Sequence, residues 1–233
     1  MIKRIKFIVF TILAMLTLNS CRYQNKADAS YIFSNSLNYV VELKSTSSLN
    51  TTYGTAVILN NDGVLVSNAH MVTYTKGGEK YLYDDFYIRY ATSEDYQEIY
   101  LLKYDENIDL AFLKIDTKNV NGIAEIGNSD QIKVGDTCYA IGNALNHGIS
   151  FTKGNISLKN IEIEYNGSTK NMIQSDLTIN EGNSGGALLD ENGKLIGIVT
   201  FRLKDSMGNV IYGLAFSIPI NFILNELTNK ILV

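Results

Sequence analysis

Two segments far apart in the chain share one layout, and this repeated layout limits the fold more than any other feature. "TAVILNNDGVLVSNA" has two apolar, β-branched runs around Asn61, Asp62 and Gly63. "ALLDENGKLIGIVTF" has two similar runs around residues 191–193. Asparagine, aspartate and glycine between such runs are typical of the turns of β-hairpins. Each segment therefore predicts a hairpin of antiparallel strands.

The chain from Tyr31 onward also has the pattern of short strands separated by turns. The further runs are "FYIRYA", "EIYLLKY", "DLAFLKI", "TCYAIG" and "NMIQSDL", and the chain has one proline, Pro219. Many short strands predict an all-β barrel or sandwich. Only "NFILNELTNKILV" at the C-terminus has helical spacing, with Phe222, Ile223 and Leu227 on roughly one face.

The first residues have the pattern of an export signal. Three basic residues stand among the first six, and the apolar run Phe7–Leu18 follows. A basic segment, a short apolar run and a small residue before the cut are typical of a secretory signal peptide. The apolar run is shorter than the roughly 20 residues that a membrane-spanning helix needs. We therefore predict a signal peptide over residues 1–20.

The junction "LTLNSC" resembles the lipobox of bacterial lipoproteins, with Cys21 as the lipidated residue. Acyl chains on Cys21 would anchor the protein to a membrane without spanning it. The polar segment over residues 21–30 then predicts a tether, and residues 31–233 form one domain. The alternative is an ordinary signal peptide cut nearby, with Cys21 an incidental thiol.

Charge and cysteine content limit the partners and the means of stabilisation. Loss of residues 1–20 removes three positive charges and no acids, so the net charge changes from −4 to −7. An acidic domain does not favour nucleic acid or an anionic membrane face as a partner. The other cysteine, Cys138, has no second partner for a disulfide framework. The fold must therefore be held by its hydrophobic core.

Three residues could each have a purely structural role, but together they have the side chains that acyl transfer from a serine needs. His70 ends an apolar strand, Asp109 opens the strand "DLAFLKI", and Ser184 lies in "GNSGG", whereas the other histidine, His147, lies in a polar loop that we expect at the surface. Acyl transfer from a serine needs a base and an acid that orients the base. It also needs backbone N–H groups directed at the oxyanion, and the glycines let the amides of Gly182 and Ser184 point the same way.

The segments "GTAVILNNDGVLVSNAHMV", "DLAFLKI", "YAIGN" and "IQSDLTINEGNSGGALLDENGKLIGI" resemble the HtrA/DegP branch of the trypsin-like serine proteases. "YGLAFSIPIN" resembles the motif that closes the protease domain of that branch. The resemblance implies two six-stranded antiparallel β-barrels with the site in the cleft between them, and a serine endopeptidase that needs no cofactor or metal. It implies that Ser184 is the nucleophile, His70 the base and Asp109 the orienting acid, with the amides of Gly182 and Ser184 as the oxyanion hole.

The same resemblance raises expectations about domains and assembly. HtrA-like proteases usually continue into PDZ domains, but this chain ends at Val233, so we expect no PDZ-gated activation. They commonly form trimers through aromatic residues near the start of the domain. Tyr31 and Phe33 would take that part in a homotrimer.

The expected substrate pocket differs from those of trypsin-like relatives. Thr178 stands six residues before the nucleophile, where trypsin-like pockets have an acid, so we do not expect cleavage after lysine or arginine. An HtrA-like pocket is small and apolar, and Ile179, Leu214 and Phe216 would line it. Arg202 replaces an aliphatic wall residue. Its charged end extends to solvent and leaves an apolar preference, or it meets a substrate carboxylate and favours Asp or Glu.

The leading functional prediction is a lipid-anchored serine endopeptidase of the bacterial cell envelope. It would act outside the cytoplasm on polypeptides, in particular on unfolded or damaged proteins. Two alternatives remain: a catalytically weak protease-fold chaperone or binding lipoprotein, and an adhesin that binds through its tyrosine-rich segment.

Overall fold

The computed structural model describes residues 28–165, 167–204 and 210–230. In this part of the chain two helices flank fourteen strands. The helices are α1 (Ala29–Ser36) and α2 (Ile220–Lys230). The signal peptide and Cys21 that the sequence predicts lie outside the described residues. No helix in the described ranges is both long and apolar enough to cross a membrane.

The first half of the described chain forms a closed antiparallel barrel. Its strands are β1 (Val40–Thr46), β2 (Thr51–Ile58), β3 (Val64–Ser67), β6 (Asp85–Arg89), β7 (Gln97–Asp105) and β8 (Leu110–Lys114). They pair in the order β1-β2-β3-β8-β7-β6. Between β3 and β6 lies a separate hairpin of β4 (Thr73–Lys76) and β5 (Glu79–Leu82).

The second half forms a second closed antiparallel barrel. Its strands are β9 (Thr137–Gly142), β10 (Ser150–Tyr165), β11 (Ser168–Ser175), β12 (Ala187–Asp190), β13 (Leu195–Lys204) and β14 (Val210–Pro219). They pair in the order β10-β11-β14-β13-β12-β9. The predicted all-β fold of two six-stranded antiparallel barrels with a C-terminal helix is confirmed.

Both predicted hairpins are present, and each contributes to the core of its barrel. Strands β2 and β3 pair Val57 with Val66, and strands β12 and β13 pair Ala187 with Ile198. All four side chains are completely buried. Burial of such alternating apolar side chains is the main force that stabilises a closed barrel without disulfides. Cys138 is also fully buried as a free thiol.

The two helices differ in part from the sequence-based prediction. In α2, Ile223 and Leu227 are buried as predicted, but Phe222 is 39% exposed because it lies to one side of the face that contacts the barrel. Helix α1 begins inside the segment that we predicted as a tether through residue 30. It starts there because the Asp28 side chain accepts a hydrogen bond from the Ser30 N–H and caps the helix. Ile32 then anchors the helix to the core.

Candidate active site

His70 and Asp109 form a close pair at one end of the first barrel. His70 lies in a short 3-10 helix directly after β3, and Asp109 directly precedes β8, the strand paired with β3. The His70 Nδ1 atom is 3.0 and 2.9 Å from the Oδ1 and Oδ2 atoms of Asp109. An ionised carboxylate only accepts hydrogen bonds, so Nδ1 carries the ring proton. Nε2 is therefore an acceptor, as a general base requires.

Further hydrogen bonds hold the Asp109 carboxylate in place although its side chain is only 4% exposed. Its Oδ1 atom accepts the His70 backbone N–H at 3.1 Å. The Asn68 side-chain amide donates to the Asp109 carbonyl oxygen at 3.0 Å. The Asp109 backbone has a φ of 57°, a left-handed conformation that aspartate adopts more readily than most residues. The bonds from the His70 backbone and ring to the carboxylate offset the cost of burying its charge, and the Asn68 bond holds the Asp109 backbone.

A buried lysine of the second barrel lies within electrostatic range of Asp109. Lys170 of β11 is 7% exposed. Burial lowers the pKa of Lys170, and the negative charge of Asp109 opposes this shift. The field at Asp109 therefore includes a contribution from the second barrel, which the sequence patterns did not predict.

Two glycines allow the chain around Ser184 to fold tightly against the first barrel. Gly182 and Gly185 have φ values of 91° and 83°, which glycine adopts without steric cost. A Cβ atom on Gly185 would lie 2.0 Å from the Thr55 carbonyl oxygen, and one on Gly182 would lie 2.1 Å from that of Asn143. No other residue fits at either position without a shift of the backbone.

The same loop has two backbone N–H groups free for a ligand. The Glu181 carbonyl oxygen accepts a hydrogen bond from Leu145 N at 2.7 Å. Because the C=O and N–H of a trans peptide point in opposite directions, the Gly182 N–H is directed away from Leu145. Within the described ranges, neither Gly182 N nor Ser184 N donates to a protein acceptor. Two free amides on one tight loop are what an oxyanion hole requires.

The Ser184 hydroxyl donates to the carbonyl oxygen of Thr200 at 3.0 Å. Thr200 is the extra residue of a bulge in β13, because Val199 pairs with Ser217 and the next pair is Phe201 with Phe216. Bulges disrupt the ladder and are frequent next to active sites. Here the bulge leaves the Thr200 carbonyl oxygen free to hold the serine.

Asn68 connects the His70–Asp109 pair to this serine. Its side-chain amide donates both to the Asp109 carbonyl oxygen and, at 3.3 Å, to Thr200 Oγ1. Thr200 in turn accepts the Ser184 hydroxyl through its carbonyl oxygen. The three residues that the sequence selected therefore belong to one hydrogen-bond network across the two barrels. Within the described part of the chain, that network contains no direct bond between Ser184 Oγ and the His70 ring.

Thr55 of β2 is a second contact between the barrels, and sequence reasoning did not identify it. Its N–H donates to the Ser184 carbonyl oxygen at 3.0 Å. Its hydroxyl donates to the Gly182 carbonyl oxygen at 2.7 Å and accepts the Asn143 N–H at 2.9 Å. Thr55 is completely buried, so water does not replace these bonds. It follows that Thr55 positions both ends of residues 182–184, the segment that we expect to form the oxyanion hole (the oxyanion loop).

Four of the five predicted pocket residues line one small cavity: Thr178, Ile179, Arg202 and Leu214. The cavity has a volume of only about 10 Å³. The structure does not place Phe216 in this lining. Phe216 is buried and stacks on Phe201, with ring centroids 5.2 Å apart.

The surroundings of the site contain no second set of candidate ligands. His147 is exposed, as the sequence predicts. Among the described residues, no group of three or more His, Cys, Asp or Glu side chains is arranged to hold a metal ion.

A histidine hydrogen-bonded to a carboxylate, a serine on a glycine-rich loop and two free amides are the groups that a serine peptidase site contains. The trypsin-like peptidase domain family matches residues 54–198, and this range includes His70, Asp109 and Ser184. The chain belongs to the trypsin-like peptidase family.

Individual relatives are HtrA-type proteases or resemble them. The serine endoprotease DegS of Haemophilus influenzae is 34% identical over 180 residues, which cover 77% of this chain and 50% of DegS. The magnetosome formation protease MamE of Paramagnetospirillum magneticum is 35% identical over 178 residues, which cover 74% of this chain and 23% of MamE. These matches confirm the similarity to HtrA-like proteases. The chain spans only half of the length of DegS and about a quarter of the length of MamE.

A solved structure gives the same result for the fold. The HtrA-type protease AlgW, solved with a tripeptide, superimposes with a TM-score of 0.76 at 34% sequence identity. The match covers 88% of this chain and 64% of the AlgW chain. The similarity therefore extends over nearly all of the described residues.

Proposed function

We propose that this chain is a serine endopeptidase that hydrolyses peptide bonds with Ser184, His70 and Asp109. The observation that supports this most strongly is the hydrogen-bond network from the His70–Asp109 pair through Asn68 and Thr200 to Ser184. A merely structural serine in a glycine-rich turn has no need for a connection to a buried histidine–carboxylate pair.

Acylation begins when the Ser184 side chain rotates from Thr200 toward His70, a change between staggered rotamers. His70 Nε2 takes the hydroxyl proton as Ser184 Oγ forms a bond to the carbonyl carbon of the substrate. The negative charge on the carbonyl oxygen is then stabilised by the N–H groups of Gly182 and Ser184. His70 passes its proton to the amide nitrogen as the carbon–nitrogen bond breaks, and Asp109 stabilises the protonated ring meanwhile.

Deacylation repeats these steps with water as the nucleophile. His70 Nε2 takes a proton from the water as its oxygen bonds to the acyl carbon. The bond from that carbon to Ser184 Oγ then breaks, and the proton returns to Ser184. The second peptide fragment leaves as a carboxylate, and the site returns to its first state.

The expected substrates are unfolded or damaged polypeptides outside the cytoplasm. Several relatives are described as periplasmic serine endoproteases, and the basic and apolar N-terminus fits export. We propose that Cys21 carries a lipid anchor and that α1 contributes to a homotrimer. In that helix Tyr31 is 66% exposed and available to a neighbouring copy, whereas Phe33 packs edge-on against Phe151 at 5.9 Å.

Kinetics of triad variants test the catalytic part of the proposal. Ser184→Ala and His70→Ala should each lower kcat by about 10⁴–10⁶-fold, and the double variant should lose little more, because the two residues act as one unit. His147→Ala is the matched control, since it removes the other, exposed histidine and should leave kcat unchanged. Losses that add in the double variant would show that the two residues act independently.

The serine rotamer also fits a second candidate function, a protease-fold chaperone or binding lipoprotein with weak hydrolysis. In that protein the Ser184 hydroxyl would stay on Thr200 and would not reach His70. The two candidates differ in one result. A chaperone would suppress aggregation of an unfolded protein without cutting it, and Ser184→Ala would not change that activity.

Cell fractionation tests the anchor separately. Cys21→Ala should release the protein from the membrane fraction or leave an uncut precursor, because the modified thiol is absent. Cys138→Ala removes the only other cysteine and should remain with the membrane. If Cys21→Ala fractionates with membranes as the wild type does, the lipobox interpretation is wrong.

A further inference from the structure

The small cavity that Thr178, Ile179 and Leu214 line has a charged side chain in its lining, that of Arg202. Arg202 Nη1 donates to the Ile179 carbonyl oxygen at 2.9 Å and to Asn180 Oδ1 at 3.0 Å. Arg202 lies on β13 two residues after Thr200, whereas Ile179 and Asn180 precede Ser184 in the chain. The Nη1 end of the partly buried side chain is therefore held by the segment before the serine. A side chain with its charged end free in solvent would have preserved an apolar pocket, and Arg202 does not have that arrangement.

The charge of Arg202 is not matched by an acid in the cavity. Among the described residues of the lining, Arg202 is the only charged one; the others are threonine, glycine and aliphatic residues. Both acceptors of Nη1 are neutral oxygens. A guanidinium has five N–H groups, and its edge of Nε and Nη2 suits a carboxylate in two parallel bonds. Within the described chain, that edge of Arg202 has no hydrogen-bond partner.

The size of the cavity then separates the substrate classes. A volume of about 10 Å³ holds roughly one water molecule, so an aliphatic side chain enters only if Arg202 leaves its two acceptors. A carboxylate side chain can bind to the outer edge of the guanidinium while Nη1 keeps both bonds. A lysine or arginine side chain would place a like charge beside Arg202. Of these classes, only the carboxylate gains from Arg202 where it lies.

We propose that Arg202 is the specificity-determining residue of this pocket and that the enzyme cuts after glutamate or aspartate. This inference rests on the proposed function, because it concerns the substrate of the same serine. Arg202 would touch the substrate side chain next to the cut bond, and the pair would be partly exposed. Salt should therefore weaken the preference.

The test compares peptides that differ in one residue before the cut: Glu against its neutral isostere Gln, and Asp against Asn, with Val, Ala and Lys peptides alongside. For the full chain, kcat/KM should be at least about tenfold higher for Glu than for Gln. The ratio should fall in 0.5 M NaCl. Arg202→Leu should abolish it, and Arg202→Lys should restore it in part, since lysine keeps the charge without the planar fork.

Lys118→Gln is the matched charge control. It removes one positive charge from a side chain that is 75% exposed and that lies outside the site, so the Glu-to-Gln ratio should stay unchanged. Thermal unfolding of Arg202→Leu shows whether that variant folds. If it does not, the ratio in the wild type and its dependence on salt still decide the matter.

Sequencing of the products from a protein substrate separates the two ways in which the proposal can fail. Cuts that depend on Ser184 but follow Val, Ile or Ala, or equal rates for Glu and Gln, would overturn the role of Arg202 and leave the protease function intact. An absence of any Ser184-dependent cut would overturn the proposed function and this inference with it. Cuts after Glu or Asp that Arg202→Leu shifts to apolar residues are the result that we expect.

Discussion

Thr55→Val is the substitution that most directly perturbs the oxyanion loop without touching the nucleophile. The Thr55 hydroxyl donates to the Gly182 carbonyl oxygen and accepts the Asn143 N–H, at 2.7 and 2.9 Å. Valine has nearly the same shape, so the change removes both hydrogen bonds and leaves no large cavity. Thr55→Ser keeps the hydroxyl and should keep both functions of the residue.

The loss of stability follows from the buried partners. Asn143 is completely buried, and a buried N–H without an acceptor costs about 1–3 kcal/mol. The added methyl group of valine returns up to about 0.8 kcal/mol. The free energy of unfolding should therefore fall by roughly 0.2–2.2 kcal/mol, and each kcal/mol lowers Tm by about 2–4 °C in a domain of this size.

The loss of activity follows from Gly182. Deletion of one oxyanion donor costs about 10²–10³-fold in kcat. Thr55→Val displaces the Gly182 amide but does not delete it, so we expect a loss of about 10–10²-fold in kcat. KM should change little, because Thr55 does not line the substrate pocket.

Steady-state kinetics and thermal unfolding on the same samples measure both effects. Ser67→Ala is the control, since Ser67 Oγ donates to the Thr55 carbonyl oxygen at 2.7 Å and does not contact Gly182. It should lower Tm and leave kcat within about twofold. If Thr55→Val also keeps its kcat, the hydroxyl stabilises the fold but does not position the oxyanion loop.

The remaining predictions concern stability and a buried thiol. Arg89→Met should lower the free energy of unfolding by about 2–3 kcal/mol in urea titrations, because it leaves the Glu42 carboxylate, 3% exposed, without its cation. Lys194→Met breaks an ion pair in which Lys194 is 43% exposed, so it should destabilise the protein less than Arg89→Met does; equal losses would contradict this account. Burial raises the pKa of the Cys138 thiol to about 12, so in a Cys21→Ala background a maleimide should label the protein at pH 8 only after denaturation. Rapid labelling of the native protein would contradict the burial. The folded state binds the thiol proton more tightly than the unfolded state does, so the free energy of unfolding should fall as the pH rises from about 8.5 to 12.

The parts of the fold that the sequence predicted are those that depend on local pattern. Alternating apolar residues and turn residues such as Gly63 and Gly193 specify the two hairpins without reference to the rest of the chain. Helix α1 was missed because one capping residue, Asp28, starts it within a polar segment that has little apolar periodicity.

The parts of the site that the sequence did not predict depend on register and on side-chain direction. The bulge at Thr200 leaves no mark in a strand pattern, and one inserted residue changes the face to which its neighbours point. Phe216, predicted in the pocket, lies in the core against Phe201. The Thr55 hydroxyl contacts Gly182, which lies 127 positions away in the chain. Arg202 was selected as a pocket residue, but only the structure shows that its charged end bonds to the Ile179 carbonyl oxygen.

Covalent labelling with a fluorophosphonate tests the central claim most directly, because the reagent modifies a serine only where a base and an oxyanion hole act on it. The probe should label the wild-type protein at Ser184, as located by mass spectrometry of the labelled peptide. Ser184→Ala and His70→Ala should not be labelled, and His147→Ala should be labelled as the wild type is. A folded wild-type protein that resists the probe, or that carries it at another serine, would contradict the assignment of Ser184 as the nucleophile.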